Sequence, residues 1–225
     1  MEQLKRLELL IGDKIDKVKN TTVLVLGLGG VGGYAAESLA RSGIGKLIIV
    51  DNDVIDVTNL NRQIISNHEN IGKRKVDEWE KRIKSINPNI IVDKVTDFIT
   101  TENNHIIFDK QFDYLIDACD TITTKKEVIK KCLSLKIPFI SSMGTGKKLH
   151  PECLEISYLD KTSYDPIAKK LRKMLKDEHV VGKVPVVYSK EQMPKITCDC
   201  VPSSAFVPSV AGLLCASYIF NLIVR

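Results

Sequence analysis

The residues able to do chemistry gather in the first half of the chain. The stretch VLVLGLGGVGGYAAESLA, Val23 to Ala40, holds five glycines in the seven residues from Gly27 to Gly33. Gly27, Gly29 and Gly32 fit a G-x-G-x-x-G spacing between an apolar run and a helix-like run. There glycines let the backbone turn tightly and approach a phosphate, while the helix N-terminus offers free N–H groups and the positive end of its dipole. Asp51, nineteen residues past Gly32 at the tip of the next apolar run, is placed to take ribose hydroxyls. Up to this point a dinucleotide and ATP fit equally. A dinucleotide needs no cations beyond the second strand, whereas a triphosphate being cleaved needs its β- and γ-oxygens neutralised. Asn59 and Arg62 in NLNRQ and Lys75 in GKRK supply the candidates, and Asp120 after YLID stands where a carboxylate can hold Mg2+ against a triphosphate. Each has a plainer reading: solvated surface charges for Arg62 and Lys75, a helix N-cap for Asp120, and tight helix-on-strand packing for the glycines.

Such residues meet only if the chain builds a frame that brings them together. Val23 to Leu26 reads as an apolar strand, Val31 to Arg41 as a helix, and KLIIV, Lys46 to Val50, as a second strand ending at Asp51, which makes a βαβ unit. A long helix from about Gly72 to Ile86 follows, closed by NPN, then a strand around Ile90 to Val95 and another within FDYLIDACD. A helix around Thr124 to Leu135 and the strand IPFISS continue the alternation. The pattern predicts an α/β fold, a Rossmann-like doubly wound and mostly parallel sheet covered on both faces. From about Leu149 the period changes: CLEISYLD alternates like a half-exposed strand, DPIAKKLRKMLKD reads as an amphipathic helix and VPVVYS as a strand, which predicts an antiparallel C-terminal extension. Residues 1–225 are read as one domain, with about 1–148 for the nucleotide and about 149–225 for the substrate side and a closing apolar helix.

Bulk composition narrows the classes without choosing one. The 225 residues are 44% hydrophobic and 27% charged, ordinary for a soluble globular chain, and a net charge of +5 permits an anionic partner without demanding one. The opening MEQLKRLELLIGDK lacks the apolar core and cleavage site of a secretory signal, so a cytoplasmic location is expected. Six cysteines without framework spacing read as free thiols. AFVPSVAGLLCASYIFNLIV, Ala205 to Val224, approaches the length of a membrane span, but Pro208, Ser209, Gly212, Ser217 and Asn221 favour a core or dimer-interface helix, and no membrane association is expected.

Taken together, these motifs resemble the adenylating family that includes the molybdopterin- and thiamine-pathway activators and the ubiquitin-activating enzymes, over nearly the whole chain. The resemblance implies ATP and Mg2+ as cofactors. It implies that Gly29, Gly30, Gly32 and Asp51 bind the α-phosphate and ribose, that Asn59, Arg62 and Lys75 hold the triphosphate, and that Asp120 holds magnesium, with Arg62, Lys75 and Asp120 serving catalysis. Arg6 in KRLELLIG looks like the family's N-terminal arginine, which reaches the γ-phosphate and in some members crosses a dimer interface, so a homodimer is expected. The opening segment is shorter here than is usual in the family.

Two branches of that family compete for the second half. Activators of sulfur-carrier proteins often carry two CxxC pairs that bind structural zinc, and they imply a cysteine desulfurase or sulfur acceptor as partner. This chain has only CDC, Cys198 and Cys200, short of the four ligands usual in a closed zinc site. His68, His105, His150 and His179 show no paired spacing, and Cys200 sits in no recognisable nucleophile context. The stretches RSGIGKLIIVDNDVIDVTNLNRQI, DPIAKKLRKMLK, VVYSKE and CDCVPSSAFVPSVAGLLCASYIF instead resemble the branch that acts on tRNA. That resemblance implies a substrate adenosine beside the anticodon bearing a threonylcarbamoyl group, activated at its carboxylate and cyclised with loss of water. Lys169, Lys173 and Lys176, with Lys170 and Arg172, surround the apolar stripe Ile167, Leu171, Met174 and Leu175, so they read either as a phosphate-binding surface for tRNA or as a solvated helix face. The alternatives are adenylation of a carrier protein's C-terminal glycine, a nucleotide-dependent binding module, and an NAD oxidoreductase.

Overall fold

In the computed structural model, which describes residues 2–192 and 200–225, two short helices, α1 (Lys5–Ile11) and α2 (Lys14–Lys19), precede the first strand. The sequence reading assigns no element there. Helices of seven and six residues have little intrinsic stability, and docking of Ile15 and Val18 into the core is what holds this segment.

The alternation that follows is β1 (Thr22–Leu26), α3 (Gly32–Arg41), β2 (Lys46–Val50), α4 (Lys75–Ile86), β3 (Ile91–Val95), α5 (His105–Phe108), β4 (Tyr114–Asp117), α6 (Ile122–Leu135), β5 (Phe139–Ser142), β6 (Leu154–Tyr158), α7 (Pro166–Asp177), β7 (Pro185–Ser189) and α8 (Phe206–Ile223). The seven strands form one sheet in the order β3-β2-β1-β4-β5-β7-β6. Every pairing is parallel except β6 with β7. The antiparallel extension expected past residue 149 is β6 against β7; β7 also runs parallel to β5, which joins the extension to the main sheet with β6 reversed at the edge.

Successive side chains of a strand point to opposite faces, and both faces here are dry. Val23 and Val25 of β1, with Leu47 and Ile49 of β2, pack against α3, α4 and α8. Leu24, Leu26, Ile48 and Val50 pack against α6 and α7 on the other side. Helix α8 has a mean hydropathy of 1.8, enough by length and composition to cross a membrane. In this fold it lies against the sheet and α3, with Val207, Ala211, Cys215, Ile219 and Ile223 buried at every fourth position.

From β1 the chain winds outward to β2 and β3, then returns and winds the other way through β4 and β5. The loops after β1 and β4 therefore diverge, and the crevice between them is where an open α/β sheet binds its ligand.

Candidate nucleotide site

The loop after β1 is shaped by its own glycines. Gly27 has φ of +87°, a left-handed conformation that glycine adopts without strain, and its N–H donates to Val50 O at 2.8 Å. Gly32 lies so close behind it that a Cβ there would fall 1.8 Å from Gly27 O. Gly29 is different: the nearest protein atom to an added Cβ is Gln63 Nε2 at 3.8 Å, so its free side is the cavity. No side chain caps the start of α3, which leaves N–H groups at that end to a ligand.

Asp51 is already engaged by the backbone. One carboxylate oxygen accepts the Leu28 N–H at 2.7 Å and the other the Asp53 N–H at 2.9 Å, so this side chain clasps the glycine loop to the end of β2. Burial raises its pKa, against the opposing pull of Lys75 and of those two backbone donors. Lys75 is not the free cation that its place in GKRK suggests. Its Nζ lies 2.7 Å from Asp53 Oδ2 and 3.7 Å from Asp51 Oδ1, with the side chain 5% exposed, because a buried ammonium needs a partner. Asn59 is buried at the end of a short turn, where its Oδ1 accepts the Asp56 N–H at 3.1 Å. Arg62 donates to Thr58 O at 2.8 Å and Asn61 Oδ1 at 3.0 Å, half-buried at the rim.

The structure brings Gly29, Gly30, Asp51, Asn59, Arg62, Lys75 and Asp120 to one cavity of about 470 Å³. Gly32 lies behind the loop and does not line it; Arg6 is exposed on α1 and does not line it either. Asp53, Gln63 and Phe98 line the cavity without having been singled out by motif. Asp53 lay in plain view in DNDVID, whereas Phe98 arrives on the loop after β3 and only the topology brings it near. Gln63 is 5% exposed and its Oε1 is without a partner among the described residues.

Asp120 is exposed at the mouth and does not cap α6, whose N-cap is Thr121 with no side-chain bond. Among the lining residues Asp51, Asp53, Asp97 and Asp120 oppose only Arg62 and Lys75, so an anionic ligand needs further positive charge here. An exposed carboxylate is the hard oxygen donor that Mg2+ takes from protein while phosphates and water complete its shell. Among the described residues no group of three or more His, Cys, Asp or Glu side chains is placed to hold a metal ion; Cys198 of the CDC stretch lies outside the described residues.

A second cavity of about 560 Å³ shares Gly30, Arg62, Ala118, Asp120 and Thr145 with the first and continues along Ser142, Gly144, Gly146 and Ile167. Beneath both runs a buried polar network absent from the motif reading. Lys125 Nζ donates to Asp117 Oδ2 at 2.9 Å and to Ser141 Oγ at 3.2 Å, and Ser141 Oγ donates to Asp117 Oδ2 at 2.6 Å. Burial alone would lower the Lys125 pKa; the Asp117 carboxylate outweighs it and raises it. Burial, with Asp117 beside it, pushes the Cys119 thiol well above the usual thiol range, so this cysteine, which lines both cavities, is a poor nucleophile.

A glycine loop at the switch point of a doubly wound sheet, with ribose- and phosphate-type partners around one cavity and a second cavity opening from it, defines a nucleotide-dependent α/β enzyme with room for a second reactant. The chain belongs to the ThiF family, which matches residues 2–224. It is 42% identical over 237 residues to the tRNA threonylcarbamoyladenosine dehydratase of Bacillus subtilis (strain 168), spanning 97% of this chain and 93% of that protein. To the Escherichia coli (strain K12) protein of the same name it is 37% identical over 210 residues, spanning 92% of this chain and 76% of that one. The crystal structure of the E. coli tRNA N6-threonylcarbamoyladenosine dehydratase, TcdA, in complex with ATP matches this fold with a TM-score of 0.94 at 33% identity, covering 99% of this chain and 93% of that one.

Proposed function

We propose that this chain catalyses the ATP-dependent cyclising dehydration of N6-threonylcarbamoyladenosine in tRNA through an acyl-adenylate. The observation that carries the reading is the likeness to dehydratases along 97% of the chain, second half included. The two cavities meeting at Arg62 and Asp120 supply the matching geometry. A free carboxylate is a poor electrophile because its leaving group would be oxide. Attack by the carboxylate oxygen on the α-phosphorus of ATP releases pyrophosphate and converts that oxygen into part of a good leaving group. The neighbouring ureido group then closes on the activated carbonyl, AMP departs with the former carboxylate oxygen, and one proton is lost. Proximity of the two groups lowers this barrier by up to about 7–11 kcal/mol, so the protein positions and neutralises and needs no side-chain nucleophile. The carrier-protein reading, with a cysteine desulfurase or sulfur acceptor as partner, stands second, because the likeness to dehydratases runs through the second half of the chain as well.

In this reading Gly29 and Gly30 receive the α-phosphate on their backbone while Gly32 holds the loop closed behind them. Asp51 accepts from the ribose, and Phe98 offers its ring to the base. Asn59, Arg62 and Lys75 serve the triphosphate, with Lys75 exchanging Asp53 for a phosphate oxygen. Asp120 holds Mg2+, which when bound neutralises charge on the triphosphate. Arg6 completes the site across a homodimer: it is exposed on α1 beside Leu9 and Leu10, which are 82% and 81% exposed and suit a second copy. Lys169, Lys173 and Lys176 lie exposed along α7 and meet tRNA phosphates. A tRNA substrate fits a cytoplasmic location. Threonylcarbamoylated tRNA incubated with the protein and Mg-ATP, digested to nucleosides and weighed by mass spectrometry, must show the modified adenosine lighter by one water. Unchanged mass with a folded protein overturns the reading.

A further inference from the structure

Away from the nucleotide, Lys148 and Asp165 form an ion pair whose two side chains are both 0% exposed, with Nζ 3.1 Å from Oδ2. A pair this deeply buried gives up two hydration shells and is poor evidence of a stabilising role, so what it connects matters more. Lys148 Nζ also donates to the Gly144 carbonyl at 2.7 Å. Asp165 uses its other oxygen to accept the Ala168 N–H at 2.9 Å, which makes it the N-cap of α7. The pair therefore ties the backbone of the loop after β5 to the first turn of α7. A second contact joins the same two parts, since a Cβ on Gly144 would lie 3.2 Å from Ile167 Cδ1. The loop, through Gly144 and Gly146, walls the second cavity, while α7 carries Lys169, Lys173 and Lys176 on its exposed face. Neither Lys148 nor Asp165 lines either cavity.

We propose that Lys148 and Asp165 are positioning residues that hold the tRNA-bearing helix in register with the acceptor cavity, so that docking of the polymer on α7 sets the threonylcarbamoyl carboxylate against ATP. The proposal rests on the function proposed above. A glycine-containing loop has no stiffness of its own, and polymer contacts made on a helix favour reaction only if helix and cavity wall move as one body. Misplacement of a reacting group by about 1 Å costs about a hundredfold in rate. The buried pair supplies that rigidity without touching substrate.

The test uses full-length protein, threonylcarbamoylated tRNA and Mg-ATP, and compares wild type with the double variant Lys148→Met/Asp165→Asn. Both buried charges leave together, and Asn keeps a capping oxygen for α7. The expected result is a fall in kcat of at least about tenfold, with tRNA KM and calorimetric ATP affinity within about threefold of wild type, because binding groups are intact and alignment alone is lost. In a Lys169→Gln/Lys173→Gln/Lys176→Gln background the same double change must cost less, since the helix no longer delivers the polymer. An unchanged kcat overturns the proposal. So does a loss in which kcat, tRNA affinity and ATP affinity fall together, which marks a merely structural pair. If the double variant does not fold, Lys148→Gln, which drops the charge and keeps a donor for Asp165 and the Gly144 carbonyl, must show the same split in smaller measure; its failure to do so also overturns the proposal. A wild type that yields no cyclised nucleoside overturns the function and this inference with it, whereas an active wild type with an equally active variant overturns the inference alone.

Discussion

Asp120 is exposed where the two cavities meet and makes no cap, so its replacement by Asn removes a charge and little else. Turnover by Asp120→Asn, read as AMP release with tRNA, is expected to fall by at least about a hundredfold, the usual scale for losing electrostatic stabilisation in a site. Its unfolding free energy should match that of the wild type. Lys125 is the opposite case. Its ammonium is 1% exposed and paired with an Asp117 that is 0% exposed, so Lys125→Met strands a carboxylate in the core. That should cost about 3–5 kcal/mol in chemical denaturation, and Asp117→Asn added to it should recover part of the loss. Asp120 and Lys125 lie within the stretch DACDTITTK, nine positions of sequence in which residue type is visible and burial is not. Position 120 follows the end of β4 into the crevice, while position 125 sits on the inward face of α6, and only the packed fold separates an exposed carboxylate from a buried strut.

At the scale of elements, α3 and α4 are clamped by Glu37, whose side chain is 8% exposed and whose carboxylate takes Arg82 Nε at 2.6 Å and Arg41 Nε at 2.9 Å. Burial raises its pKa, but the hydrogen bonds and charges of Arg82 and Arg41 outweigh that and leave it lowered. The sign follows: a lowered carboxyl pKa gives stability that is present above the ordinary carboxylate value and lost as pH falls through the folded one. Glu37→Gln should therefore be less stable than wild type near neutral pH by about 1.5–3 kcal/mol, the range for hydrogen bonds to a charged group. The gap should close as denaturation is repeated in increasingly acid buffer below the ordinary carboxylate value of 4.5. A gap that stays constant across that range would refute the linkage. The helix start signal was legible in the glycine run, yet the clamp joins residues 45 apart and leaves no local trace.

For the whole molecule, the decisive property is where its charge lies. Lys169, Lys173 and Lys176 point outward from α7, while Arg172 of the same helix turns inward to Leu159 O and Thr162 O at 3.1 Å each. Replacing the three lysines by Gln should weaken tRNA binding and reduce the slope of log affinity against log salt by about 2–3, because each phosphate contact releases about one counterion. ATP affinity should stay near that of wild type, since none of the three lines the nucleotide cavity. Filter binding across a salt series reads the slope; an unaltered slope means that the helix face is only solvated.

Local chemistry was written in the sequence. Apolar runs of strand length, a glycine loop between β1 and α3, and period changes near residue 149 specify the α/β class and most element positions, because strand and helix patterns depend on neighbours two to four residues away. Seven of the residues singled out by motif do meet at one cavity. What the motifs could not decide was each residue's state on arrival. Lys75 comes paired with Asp53, Asp51 is engaged with the loop backbone, Gly32 is walled off behind Gly27, and Arg6 remains on the outer surface of α1. Nor could they foresee β7 joining the parallel sheet, or the buried pairs Lys125 with Asp117 and Lys148 with Asp165. Those outcomes depend on contacts between segments far apart in the chain, where burial makes an unpaired charge costly and so selects its partner; sequence spacing carries no record of that choice.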